Sequence, residues 1–259
     1  MLARQPKLVA TQPLLVVQPQ ANDSRTSLPV FALTWSIVVL VAVAAVIALD
    51  PPRPQPASSP ATDFSAERAM FHVREIARAP HPLGSRENAA VRSYLLAQLA
   101  QLGVQANEFS GVGINSTRSL VTVGQTDDIV GLLAGYHGGP AMMLTAHYDS
   151  VRNAPGAADD SAGVATILEI VRALRAGPAL QHDLVVLFTD GEEPGLLGAD
   201  AFAHSHPWAQ NLGLILNFEA RGSRGPSLLF ETSANNGSLI GGVARAAPHP
   251  IGSSLFYDL

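Results

Sequence analysis

The 259-residue sequence has no cysteine, and one lysine, Lys7, stands against fifteen arginines. The first absence excludes disulfide scaffolds, thiol nucleophiles and thiolate metal sites. The second is read as genome bias. Charge is scarce as well: 14% of residues are charged, and 16 basic against 21 acidic residues give a formal −5. That balance offers no electrostatic reason to expect nucleic acid, whose binders carry a clustered positive surface. Three local patterns are also missing: the G-x-x-x-x-G-K-S/T phosphate loop, the G-x-S-x-G nucleophile turn and the H-E-x-x-H single-zinc helix.

What is present begins at the N-terminus. Residues 1–27 are polar, proline-dotted and aperiodic, which predicts a disordered tail. Residues 28–49, LPVFALTWSIVVLVAVAAVIAL, carry no charge over 22 positions. At 1.5 Å per residue such a helix spans about 33 Å, enough for a hydrocarbon core of about 30 Å. A buried helix of a soluble protein is one competing interpretation, but Asp50-Pro51-Pro52 stops the run and no second apolar run matches it in length. A cleaved signal peptide competes more closely, yet its apolar region runs to about 7–15 residues and ends at a small-residue site. The run therefore predicts an uncleaved transmembrane anchor in a lipid membrane. Arg4, Lys7 and Arg25 precede it with Asp23, whereas Asp50, Arg53 and Asp63 follow. The basic bias places residues 1–27 in the cytoplasm and everything after the span on the non-cytoplasmic side. Residues 50–62 are proline-rich and predict a spacer, leaving 63–259 as the folded domain.

Within that domain, helical and strand patterns alternate. Residues 65–78 and 86–102 are amphipathic, the second carrying Val91, Leu95, Leu99 and Leu102 at near-helical spacing. Three short apolar runs end in a polar residue: AMMLTAH (141–147), DLVVLFTD (183–190) and LGLILNFE (212–219). Runs apolar throughout predict strands whose sheet is covered on both faces. Asp160 or Ser161 could cap a helix continuing through Val164, Ile167, Leu168, Val171 and Leu174. The predicted fold class is α/β, a three-layer α/β/α sandwich with a mixed, mostly parallel sheet.

The chemistry gathers where those strands end. His147 closes one run and Asp149 follows it; Asp159 and Asp160 lie in GAADDSAG; Glu192 and Glu193 lie in DGEEPG; Glu219 closes a third run. Ligands of open α/β sheets bind beyond the carboxyl ends of the strands, so these clusters would converge there. Imidazole and carboxylates without thiolate form a donor set that zinc, cobalt and manganese accept. Two cations about 3.5–4 Å apart would need a bridging carboxylate and a shared water. In an adjacent Glu-Glu pair, one residue can ligate while the other takes a proton from that water. Singly, each residue is weak evidence: a loop carboxylate is usually solvated and a lone histidine usually structural. His204 and His206 read as surface helix.

Together, AHYDSVRNAPGAADDSAG, LVVLFTDGEEPGLLGADAF and LILNFEARG resemble the core of the co-catalytic zinc exopeptidases of metallopeptidase family twenty-eight. Residues 70–102, with PHPLGSRENAAVRSYL, resemble the membrane-tethered branch that includes the endoplasmic reticulum metallopeptidases. The resemblance implies zinc-dependent removal of residues from the N-terminus of peptides. It implies His147 as a ligand of one metal and Asp149 as the carboxylate orienting it. It further implies Asp159 as the bridging ligand, joined by a cis peptide to Asp160, which stands behind the ligands without binding metal, with Glu192 as general base. Glu193 would ligate the other metal, and Glu219 would complete the first metal's set. The family completes its second metal with a histidine well beyond the Glu219 position. Only 40 residues follow Glu219, and His249 is the one histidine among them. It lies in a segment resembling a substrate-side region. This implies a domain incomplete at its C-terminus, holding one zinc firmly instead of the complete site's two. Two functional hypotheses follow: an anchored zinc aminopeptidase, or a tethered peptidase-like domain with impaired or absent turnover.

The uncharged run makes the first prediction. The chain should sediment with membranes and resist salt extraction, with the region after Asp63 open to protease from the non-cytoplasmic side. Recovery of a soluble form beginning after Leu49 would contradict the anchor.

Overall fold

The computed structural model describes residues 28–48, 50–220, 222, 225–248 and 250–252. The expectations for residues 1–27 and for His249 lie outside them. The described residues divide into two compact units, one before Pro51 and one from Pro51 onward. The first contains one helix, α1 (Leu28–Ala48), apolar on every side. Its Leu28–Ile47 stretch, of mean hydropathy 2.7, is long and apolar enough to cross a membrane.

The second unit is built on a five-stranded mixed sheet with the order β1-β2-β4-β3-β5. Its strands are β1 (Gln105–Ser116), β2 (Val121–Leu133), β3 (Ala141–His147), β4 (Leu184–Thr189) and β5 (Leu212–Asn217). β3 runs parallel to both β4 and β5, whereas β1–β2 and β2–β4 are antiparallel. The three apolar runs identified in the sequence are thus the parallel strands. The long antiparallel hairpin β1–β2 was not anticipated, because serine, asparagine and four glycines interrupt its apolar pattern. The reason for one of those glycines is close packing. A Cβ at Gly113 would sit 1.9 Å from the Leu197 carbonyl oxygen, so only glycine admits the helix that crosses the hairpin there.

Helices cover both faces. On one side lie α2 (Ala66–Ile76), α3 (Arg86–Gln101) and α4 (Ser161–Arg175). Leu184, Val186 and Phe188 of β4 pack against Ile76, Leu95, Leu99, Ile167 and Leu168 in that layer's core. Val185 and Leu187 point the other way, into a smaller core with Met143, Val130 and Phe202 of α5 (Leu197–Ser205). This alternation explains why β4 is apolar at every position; burying each such side chain is worth about 1.5–3 kcal/mol. The final described helix, α6 (Gly237–Ala246), lies beyond β5 in the chain. Side-chain caps start α2, α3 and α4: Ser65 accepts from Arg68 N–H, Ser85 from Asn88 N–H and Asp160 from Gly163 N–H.

The stretch read as a spacer folds against this layer. Ser65 Oγ donates to the carbonyls of Gln55 and Pro56. The Arg68 guanidinium donates to the carbonyls of Ala57, Ser59, Pro60 and Asp63, and that of Arg172 to Ala61 and Asp63. Both arginines are aimed by one buried acid: Glu169 accepts from Arg68 Nε at 2.9 Å and from Arg172 Nε at 2.6 Å, and it also takes the Ser65 N–H. Residues 55–63 therefore form a strap clipped to α2 and α4.

Burial alone would raise the Glu169 pKa, but Arg172, the Ser65 N–H and Arg68 outweigh it and hold the carboxyl below its ordinary value. The resulting stability is complete above the unfolded glutamate value of about 4.3 and is lost as pH falls through the lower folded value. Removing one partner from a buried ion pair costs about 3–5 kcal/mol. Urea unfolding of Glu169→Gln should show a loss of that size near neutral pH. The variant should also lack the parent's acid-dependent component; a stability within 1 kcal/mol of the parent's would contradict the clip.

Candidate metal and active site

The site lies at the carboxyl ends of the parallel strands. β3 delivers His147, which is 2% exposed, and the chain continues through the fully buried Tyr148 and Asp149. Ser150 is held in turn by His81, through its N–H to the His81 carbonyl at 3.3 Å and its Oγ from the His81 N–H at 2.9 Å. The following loop ends in a cis Asp159–Asp160 peptide, as the resemblance implied, and Asp160 then caps α4. β4 delivers Asp190, and Gly191 takes a left-handed φ of +69° that turns the chain into Glu192 and Glu193. Past β5, the Phe218 N–H bonds the Thr145 carbonyl and thereby fixes the approach of Glu219.

These segments bring Asp159, Asp160, Glu192 and Glu219 together around one imidazole, while Glu193 follows Glu192 in the turn. His147 Nε2 lies 3.0 Å from Asp159 Oδ1, 3.7 Å from Glu219 Oε1 and 3.9 Å from Glu192 Oε2. The other ring nitrogen, Nδ1, is 3.1 Å from the Asp149 backbone carbonyl and 3.4 Å from its carboxylate. Asp149 uses its two carboxylate oxygens to accept the N–H groups of Glu192 at 3.0 Å and Glu193 at 3.3 Å. One buried carboxylate therefore backs the histidine and pins the Glu-Glu turn at once.

Burial lowers the His147 pKa on its own, but Asp149 and Glu219 outweigh it and raise it strongly. The acids are raised as well, which in a carboxyl disfavours the charged form instead of favouring it. Burial and the charges of Glu219 and Asp159 push Asp160 up to about 8. Burial raises Glu192, with Glu219, Asp149 and Glu193 adding to it, and burial raises Glu193 together with the charges of Asp159 and Asp149. The site concentrates negative charge that only a proton or a cation can relieve.

A divalent metal fits this donor set. His147, Asp160 and Glu219 each offer a ligand atom, all within 4.8 Å of one another. Asp160 Oδ2 is buried and has no hydrogen-bond partner. The resemblance had placed Asp159 among the ligands and Asp160 behind it. In the structure both aspartates reach the site, Asp160 buried and Asp159 with a side chain 59% exposed beside the same imidazole nitrogen. Two further residues were missed in the sequence: Asp128 and Asp190, both buried directly beneath the Glu-Glu turn. Their signals were a charged pair inside an apolar strand and an aspartate immediately before Gly-Glu-Glu. His204 is an exposed α5 residue paired with Asp200, whereas His206 packs among Phe109, Phe202 and Trp208.

Residues 128–259 match Peptidase family M28. The chain belongs to that family. It is 32% identical over 209 residues to mouse endoplasmic reticulum metallopeptidase 1, covering 74% of this chain and 23% of that protein. It is 30% identical over 257 residues to the vacuolar membrane protease of Yarrowia lipolytica, covering 90% of this chain and 25% of the relative. The chain thus spans about a quarter of the length of these curated relatives. Among solved structures, a zinc-dependent exopeptidase from Parabacteroides distasonis superposes with a TM-score of 0.59 at 19% identity, over 75% of this chain and 78% of that one. A glutaminyl cyclase from Porphyromonas gingivalis gives 0.59 at 22% identity, over 70% and 69%. These likenesses show the zinc-exopeptidase-like fold, which proteins of different reaction share.

Replacing Asp149 by asparagine would turn an N–H₂ group toward one of the two amides it now accepts. Loss of such a supporting partner typically costs about 10–100-fold in metal affinity or activity. Chelator competition on Asp149→Asn should show divalent metal bound more weakly by that factor; unchanged affinity would contradict the double role of Asp149.

Proposed function

We propose that this chain is a membrane-anchored, zinc-dependent aminopeptidase domain, with α1 as the anchor and the second unit on the non-cytoplasmic side. The observation that carries the reading is the buried His147 ringed by Asp159, Asp160, Glu192 and Glu219, with Glu193 adjacent. Family membership and the protease names of the curated relatives support peptide hydrolysis over cyclisation.

In this reading His147, Asp159, Glu193 and Glu219 hold the metal, with Asp160 able to join them. Bound zinc would supply a Lewis acid for the scissile carbonyl and would lower the pKa of a water. Glu192 is the general base: it takes a proton from the attacking water and delivers it to the departing amine. Its raised pKa suits both halves of that task, since a base that is too acidic holds no proton to return. Asp149 keeps the Glu192 and Glu193 amides in place during the transfer. A free N-terminus is the group that distinguishes the proposed substrates, and an excess of carboxylates would attract it.

One observation favours a second reading, that of a domain with weak turnover. Among the described residues, His147 is the only imidazole in the metal-ligating group, which leaves Glu193 and a shared aspartate for any second ion. The site should then hold close to one zinc per chain after dialysis.

The test combines kcat on an N-terminally unblocked aminoacyl amide with zinc stoichiometry. General acid–base catalysis is worth about 10²–10⁴-fold, so Glu192→Gln should lower kcat by that range at parental zinc content. Glu193→Gln should lose zinc and activity together. An N-acetylated substrate should not be cleaved. Reversed behaviour of the two variants would exchange their roles; a parental rate in both would overturn the mechanism.

A further inference from the structure

The residue immediately before the Glu-Glu turn is held by an unusual exchange of bonds. β2 and β4 pair as far as Ile129 and Phe188, after which β4 must leave the sheet to make its turn. At that point two side chains replace the backbone ladder. Asp128 Oδ1 accepts the Asp190 N–H at 2.9 Å, and Asp190 Oδ2 accepts the Asp127 N–H at 3.4 Å. Asn88 of α3 donates to the other Asp190 oxygen at 2.9 Å. From the far side, the Gly198 N–H takes the Asp190 carbonyl and the Leu197 N–H takes that of Gly191, both at 2.9 Å.

Asp128 is fully buried, and its second oxygen, Oδ2, has no partner. A Cβ at Gly198 would come within 2.2 Å of Asp128 Oδ1, so the backbone of α5 is closed tightly over this carboxyl. Keeping an acid there is costly where an apolar residue would fit. Among the described residues, the one hydrogen bond its side chain makes is to the amide that positions the turn.

We propose that Asp128 is a positioning residue for Glu192: from β2, its Oδ1 holds the Asp190 amide and so fixes the turn on which the proposed base stands. This rests on the reading of Glu192 as general base. Burial, with the charges of Asp190, Asp127 and Asp149, pushes the Asp128 carboxyl up to about 7 against the pull of the Asp190 N–H. The neutral form is therefore within easy reach, and asparagine reproduces its shape and its acceptor. Leucine matches the size without the acceptor.

Three readouts on the full chain in detergent test this: hydrogen exchange of the backbone amides in residues 189–196, kcat and KM on an aminoacyl amide, and zinc content. Asp128→Leu should expose the turn amides to exchange about tenfold faster. Its kcat should fall by about 10–100-fold, the scale of a small misplacement of a catalytic group, with KM and zinc content near the parent's. Asp128→Asn should restore both exchange protection and kcat. If Asp128→Leu does not fold, Asp128→Ser, polar but too short to reach the amide, takes its place with the same expectation. Parental exchange and kcat in the leucine variant would overturn the proposal, as would an asparagine variant as defective as leucine. Exchange that follows the expected pattern in a parent without hydrolysis upholds the role of Asp128 in placing the turn and overturns the peptidase reading instead.

Discussion

The structure depends on one electrostatic constraint: carboxylates from separate segments are brought around a single buried imidazole. Like charges 4 Å apart repel by about 4 kcal/mol at an effective dielectric constant of 20. The raised pKa of Asp160, Glu192 and Glu193 is that repulsion combined with burial. Part of it is offset locally. Asp160 sits at the N-terminus of α4, where the helix dipole and the Gly163 N–H favour negative charge, and Asp149 takes two amides of the Glu-Glu turn. The remainder is what a divalent cation would neutralise.

A site so strained in charge needs a frame that does not yield. β3 and β4 are buried on both faces, and they deliver His147 and the Glu-Glu turn from adjacent parallel strands. The long hairpin extends past the end of β4 through residues 121–128 and contributes Asp128 from below. On the α2–α4 side, a second buried acid, Glu169, gathers two arginines and through them the strap of residues 55–63. Glu169 and the acids of the site meet burial differently: Glu169 is surrounded by cationic donors, whereas the acids of the site are surrounded by one another.

Much of this was legible in the sequence, for a physical reason. β3 and β4 read as apolar runs because both faces are covered, whereas β5, at the edge of the sheet, alternates half-buried and exposed positions although its sequence predicted a strand covered on both faces; each run ends near a polar residue of the site. His147, Asp190 and Glu219 therefore mark strand ends in one dimension as they do in three. Asp160 announced its helix as a cap. β1 and β2 were hidden because close packing on α5 demanded glycine where a pattern needed apolar side chains. The strap was hidden because its bonds are backbone carbonyls meeting distant arginines, which composition does not reveal. Asp128 was hidden for a related reason, since its partner amide is 62 residues away.

The central claim is that the His147 cluster is a divalent metal centre with one imidazole and otherwise oxygen donors. X-ray absorption at the zinc edge of the zinc-loaded chain addresses it directly. The account predicts one imidazole nitrogen and several oxygens at about 2.0–2.2 Å, no sulfur, and loss of bound zinc in His147→Ala. Two or more imidazoles per zinc, or full zinc retention in His147→Ala, would contradict it.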